Sequence, residues 1–248
     1  MNKVDEYRET LKTLEDWDLF LLRESGLPGR RANLELAQAV ADEGSEELFE
    51  HYLAFDPGKA PVNSPHEFLV FCGVVGLGRL LSEGKMEVMK TLRPYASDPR
   101  WRIREGVAMA LQRLGQVDMD SLLQAMEKWS QGNLLEKRAA AAALCEPKLL
   151  REEKHTEIVP QILDQITASI QSIEDRKSNE FKALRKGLGY CWSVAVVALP
   201  EEGKKMMERW FSSHDKDVLW IMKENLRKKR LTRMDADWVE RWKVRLGM

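Results

Sequence analysis

Cysteine, histidine, long apolar runs and net charge are all scarce in this chain of 248 residues, and each shortage removes a class of function. Cys72, Cys145 and Cys191 are odd in number, far apart, and each sits in a run of apolar or small residues. That excludes a disulfide framework and reads as buried free thiols in a reducing compartment. His51, His66, His155 and His214 are the only histidines, and none has the His-x-x-x-His or Cys-x-x-Cys spacing of a local metal site. No stretch reaches the roughly 18 to 20 apolar residues of a membrane span, and the opening MNKVDEYRETLKTLED lacks the apolar segment of a signal peptide. A cytoplasmic location without a membrane partner is therefore expected. The Gly-x-Ser-x-Gly elbow of serine hydrolases is missing. Gly73, Gly76 and Gly78 lie inside an apolar helical run, not between a strand and a helix where a phosphate cradle forms. Together these shortages predict no metal, no small-molecule cofactor and no catalytic residue. The formal charge of −1, with 32 % charged and 44 % apolar residues, fits a folded chain and does not by itself call for a nucleic-acid partner.

No alternating apolar and polar run flanked by hairpin turns occurs, whereas helical periodicity is everywhere. The clearest stretch is Ser97 to Gly115, SDPRWRIREGVAMALQRLG. Asp98-Pro99 supplies a capping acceptor and a first-position proline. Ile103, Val107, Ala110, Leu111 and Leu114 follow on one stripe, and Gly115 offers a stop. Ser64-Pro65-His66-Glu67 marks a second start, opening a helix to about Ser82 that is apolar nearly all round and whose glycines imply close helix contact. Further helices are predicted over about 3–24, 30–42, a segment around Leu48 to Leu53, 85–95, 119–130, 134–145, 149–172 with Pro160 as a kink, 179–199, 201–212, 216–229 and 235–246. One short helix with one apolar stripe is not stable alone.

The Asp-Pro turn, the Ile103-Arg104 pair and the small residues Gly106, Ala108 and Ala110 resemble the inner helix of a HEAT repeat. Equivalent positions Arg31, Val70, Arg104, Arg138, Arg185 and Leu219 recur at intervals of 39, 34, 34, 47 and 34 residues, the range of helix-pair repeats. The resemblance implies an all-α fold in a single domain, 1–248: a right-handed superhelix (HEAT-like solenoid) of about six helix pairs closed by a C-terminal helix. Such an array needs no single central core.

The six inner helices carry 17 Lys plus Arg against 8 Asp plus Glu, and the remainder 22 against 32. A near-zero total thus conceals a basic set of inner helices. Arg30, Arg31, Arg100, Trp101, Arg102, Arg104, Arg138, Lys182, Arg185 and Trp192 are the candidate binding residues, most of them cations in first turns, where the helix dipole also favours anions. Two readings stay open for Arg104, Arg138 and Arg185: a binding surface, or a ladder of ion pairs with acids of the adjacent repeat. Trp101 and Trp192 are open in the same way, between stacking on a partner and filling the core.

The element Trp101-Arg102-Ile103-Arg104 also resembles an aromatic-x-Arg-Arg element of AlkD-like DNA alkylation repair glycosylases, which hold DNA in a basic concave groove. That family brings a Trp and a catalytic Asp from an earlier inner helix, where HEFLVFCGVVGLG here offers only Glu67 and no Trp. The leading expectation is a non-enzymatic scaffold that binds a protein or peptide partner on its concave face. The alternative is a DNA-binding protein of the alkylation-repair type. Salt separates them, because phosphate binding weakens by orders of magnitude as salt rises.

Overall fold

The computed structural model describes residues 2–248, Glu153 by its backbone alone. The protein is all-α: among the described residues there are fifteen α-helices and no strand, and no helix is long and apolar enough to cross a membrane. The chain divides into two compact units, Met1–Val117 and Asp118–Met248.

In the first unit, the helix expected over 3–24 is two helices, α1 (Lys3–Lys12) and α2 (Asp18–Glu24). The interruption has a local cause: the Trp17 indole N–H donates to the Leu11 carbonyl at 3.0 Å, satisfying a helix-terminal acceptor, and the Asp16 carboxylate takes the Asp18 N–H at 2.9 Å. Helix α3 (Leu34–Glu43) starts late, because the Asn33 side chain caps it by accepting from the Leu36 N–H. Arg30 and Arg31 therefore lie in the preceding loop, correcting the expectation that they occupy a first helical turn. Helices α4 (Glu46–Leu53), α5 (Pro65–Ser82), α6 (Val88–Leu92) and α7 (Trp101–Val117) follow, a 3₁₀ turn Arg93–Ser97 standing before α7.

Helix α5 is the centre of this unit. It is buried on nearly every side, with α2, α3, α4 and α7 packed on it and α1 packed on α3. Its glycines set the spacing. A β-carbon on Gly76 would lie 2.5 Å from the Phe49 ring of α4, and one on Gly78 would lie 2.5 Å from the Ala110 Cα of α7.

The second unit runs α8 (Met119–Trp129), α9 (Leu134–Leu144), α10 (Glu153–Ser169), α11 (Asn179–Ala198), α12 (Pro200–Phe211), α13 (Lys216–Leu226), α14 (Lys229–Met234) and α15 (Ala236–Arg245). Asn133 and Glu136 close a reciprocal capping box at the start of α9. Helix α10 runs on through Pro160. The helix expected over 216–229 stops at Leu226, and Lys229 opens a separate short helix. Helix α11 is central here: α9, α10, α12, α13 and α14 all pack on it. Cys72, Cys145 and Cys191 are buried free thiols.

Glycine contacts make opposite predictions at two sites. Replacing Gly78 by Ala removes a helix penalty of about 1 kcal/mol, yet the new methyl meets Ala110 backbone that cannot rotate away, so Gly78→Ala lowers stability by about 1–3 kcal/mol. Gly187 has only the flexible Arg138 Cγ at 3.5 Å, so Gly187→Ala raises stability by a few tenths to about 1 kcal/mol. Urea denaturation midpoints of the two variants check both signs.

Candidate binding site

Six of the ten sequence-predicted residues, Arg30, Arg31, Arg100, Trp101, Arg102 and Arg104, lie in the first unit, at the start of α7 and in the loop before α3. Asp98 holds Arg100, the residue before α7. Its Oδ1 accepts from the Arg100 backbone N–H at 2.7 Å and from Nε at 2.9 Å, while Oδ2 accepts from Nη2 at 2.7 Å. The same guanidinium donates to the carbonyls of Phe55 and Ala60 at 3.3 and 3.2 Å. Arg100 is therefore buried with its donors engaged. It staples the 55–60 loop to the turn, which corrects its expected place on a binding surface.

Arg102 is buried as well. Its Nη1 donates to Glu67 Oε2 at 3.1 Å, and its Nη2 to the Gly29 carbonyl at 2.6 Å and Asn63 Oδ1 at 3.1 Å. Glu67 is fully enclosed. A capping box would turn its carboxylate to the Ser64 N–H; Oε2 takes the Asn63 N–H instead, at 2.7 Å. Asn63 holds φ +64°, a left-handed conformation that asparagine tolerates, and its Oδ1 also accepts from the Gly29 N–H at 3.0 Å. Four segments, 26–33, 60–64, the start of α5 and the start of α7, are thereby fixed to one guanidinium.

Trp101 lies on top of this cluster. It is 45 % exposed, with the Arg102 guanidinium 4.5 Å from its ring centroid. Val62, next to Asn63, is 55 % exposed. Arg30 and Arg31, directly after Gly29, are exposed too. Sequence reasoning singled out Arg30, Arg31, Trp101 and Arg102 but missed Val62, Asn63 and Gly29. The missed residues come from loops with no periodicity to read.

Arg104 turns back on its own helix start, donating to the carbonyls of Asp98 and Pro99 at 2.6 and 3.1 Å. In the second unit, Arg138 of α9 lays its stem beside Gly187 of α11, and Lys182 is exposed on α11. Arg185 pairs with Asp217 of α13 at 2.5 Å, the helix-to-helix link that the ladder reading expects, and lies 4.4 Å from the Trp220 ring centroid. Trp192 is 0 % exposed and donates its indole N–H to Thr167 Oγ1 at 3.0 Å. It is core, which corrects its placement among the stacking residues.

Arg176, in the polar stretch EDRKSNE, was not singled out, yet it joins Asp215 at 2.6 Å and Asp217 at 3.0 Å. Its hydrogen bond is the largest influence holding the Asp215 carboxyl below the ordinary aspartate range. A depressed carboxylate contributes stability above its unfolded pKa, and that contribution is lost as pH falls through the folded value. Asp215→Asn is therefore less stable than the parent at neutral pH, and its thermal midpoint falls less steeply below about pH 4. Thermal melts of both proteins across the acid range measure this.

Removing Arg102 alone leaves the enclosed Glu67 carboxyl group without its ion-pair partner, so Arg102→Ala costs about 3–5 kcal/mol in urea denaturation. The double variant Glu67→Gln with Arg102→Met costs clearly less, because no unpaired charge stays inside. No family model, curated protein or solved structure matches the chain.

Proposed function

We propose that this chain is a non-enzymatic binding protein of stacked, HEAT-like helix pairs that engages a protein or peptide partner, with the surface around Trp101 as its anchor. The observation that carries this reading is an exposed indole set against a fixed guanidinium. Trp101 stays 45 % exposed while the group beneath it, Arg102, is held by Glu67, Gly29 and Asn63. A large aromatic ring pre-ordered at a surface loses little freedom on binding, which is what interface hot spots exploit. Val62 adds apolar area, and Arg30 and Arg31 add a basic rim, the centre-and-rim composition of protein interfaces.

Peptides selected by display against the full-length protein test the reading, with an abasic and an undamaged DNA duplex as competing ligands at two salt concentrations. Selected peptides bind, and Trp101→Ala weakens them about 30-fold, the loss expected for a hot spot of about 2 kcal/mol. The helical circular dichroism is unchanged. Equal affinity for the variant, or tight and salt-sensitive duplex binding, overturns the reading and favours the DNA-binding alternative.

A further inference from the structure

The second unit carries a basic surface of its own. Helix α11 buries Phe181, Leu184, Leu188 and Trp192 along one side. The 3.6-residue period places Lys182, Lys186 and Tyr190 one turn apart on the other side, and all three are exposed. Helix α13 packs beside α11 and adds Lys216, Lys223 and Arg227 on its own unburied side.

These two helices hold three acids. Glu180 lies in the first turn of α11. Asp217 is buried on Arg176 and Arg185, and Glu224 is already held by Arg227 and Lys228. Among the described residues Lys182, Lys186, Lys216 and Lys223 have no ion-pair partner, so the face has several cations whose charge is not balanced locally.

The two aromatic residues there do not offer a base-stacking platform. Trp220 has the Arg185 guanidinium 4.4 Å from its centroid, and its ring edge abuts Gly189, where a β-carbon would come within 3.2 Å of it. Tyr190 has Arg230 4.5 Å from its centroid. Single-stranded nucleic acid gains much of its affinity from open aromatic faces. With guanidinium groups already on these rings, the face recognises charge and not bases.

We infer that the free faces of α11 and α13 bind an Asp/Glu-rich segment of a partner protein, its carboxylates meeting Lys182 and Lys186, about 6 Å apart along the helix axis. This deepens the reading of a protein-binding function and rests on it. It does not depend on the Trp101 surface.

The test is fluorescence anisotropy of the full-length protein with a labelled acidic peptide of about 16 residues, its Asn/Gln counterpart, and a single-stranded DNA of matching length. The acidic peptide binds with a micromolar-order dissociation constant at about 50 mM salt and about tenfold more weakly at about 300 mM; the amide counterpart does not bind. Lys182→Glu with Lys186→Glu weakens the acidic peptide about tenfold or more without changing helicity. Lys182→Gln with Lys186→Gln weakens it to a lesser degree, and Trp101→Ala leaves it within about twofold. No binding of the acidic peptide, indifference to the lysine reversals, or tighter binding of DNA overturns the inference. If display-selected peptides still depend on Trp101, the failure is confined to this face and the wider reading stands; tighter DNA binding overturns both.

Discussion

A buried charge must be met, and in the first unit that requirement is concentrated on the Glu67–Arg102 pair. Glu67 sits in the first turn of α5 and Arg102 in the first turn of α7, 35 residues apart in sequence and 3.1 Å apart in space. Glu67 is fully enclosed and Arg102 nearly so, and the guanidinium takes further acceptors from Gly29 and Asn63, while Arg102 Nε and Glu67 Oε1 stay buried without a hydrogen-bond partner among the described residues. Such a pair is weak evidence of net stability, because desolvation offsets most of its attraction. Its consequence is positional: two loops and two helix starts are set at once, and the ring of Trp101 is held beside the guanidinium.

The second unit uses the same device with different residues. Arg176 and Arg185 converge on Asp217, joining the loop before α11, the second turn of α11 and the first turn of α13. Both networks lie at helix starts, where free backbone N–H groups also favour carboxylates. The ladder reading is thus met at Arg185. In the first unit Arg102, two residues before Arg104, links the starts of α5 and α7 through Glu67, and Arg104 donates to the carbonyls of Asp98 and Pro99. Arginine, buried at positions 100 and 102 and part-buried at 176 and 185, therefore ties segments together, and Lys182, Lys186 and Lys216 and the loop arginines 30 and 31 are left as surface charge.

Much of the helical framework was legible. Ser64-Pro65 and Asn133 with Glu136 set helix starts through side-chain to backbone bonds within three residues, and the glycines of the apolar helix announced the contacts they make at Gly76 and Gly78. The break at Trp17 was less legible, since the 3–24 stretch keeps its apolar period across it. So was the start of α3, where Asn33 outcompetes the earlier positions as a cap. Of the candidate residues, Trp101 and the loop arginines are exposed, whereas Arg100, Arg102 and Trp192 are enclosed.

By itself, the amino-acid sequence determined the all-helical class, most helix boundaries, and the burial of α5 on nearly every side, because caps, prolines and apolar period act over a few residues and need no distant partner. Tertiary structure alone decided which arginines became internal fasteners and which stayed at the surface. The reason is range: Arg102 meets Glu67 and Gly29 at separations of 35 and 73 residues, and no local pattern distinguishes a guanidinium that will find such partners from one that will face solvent.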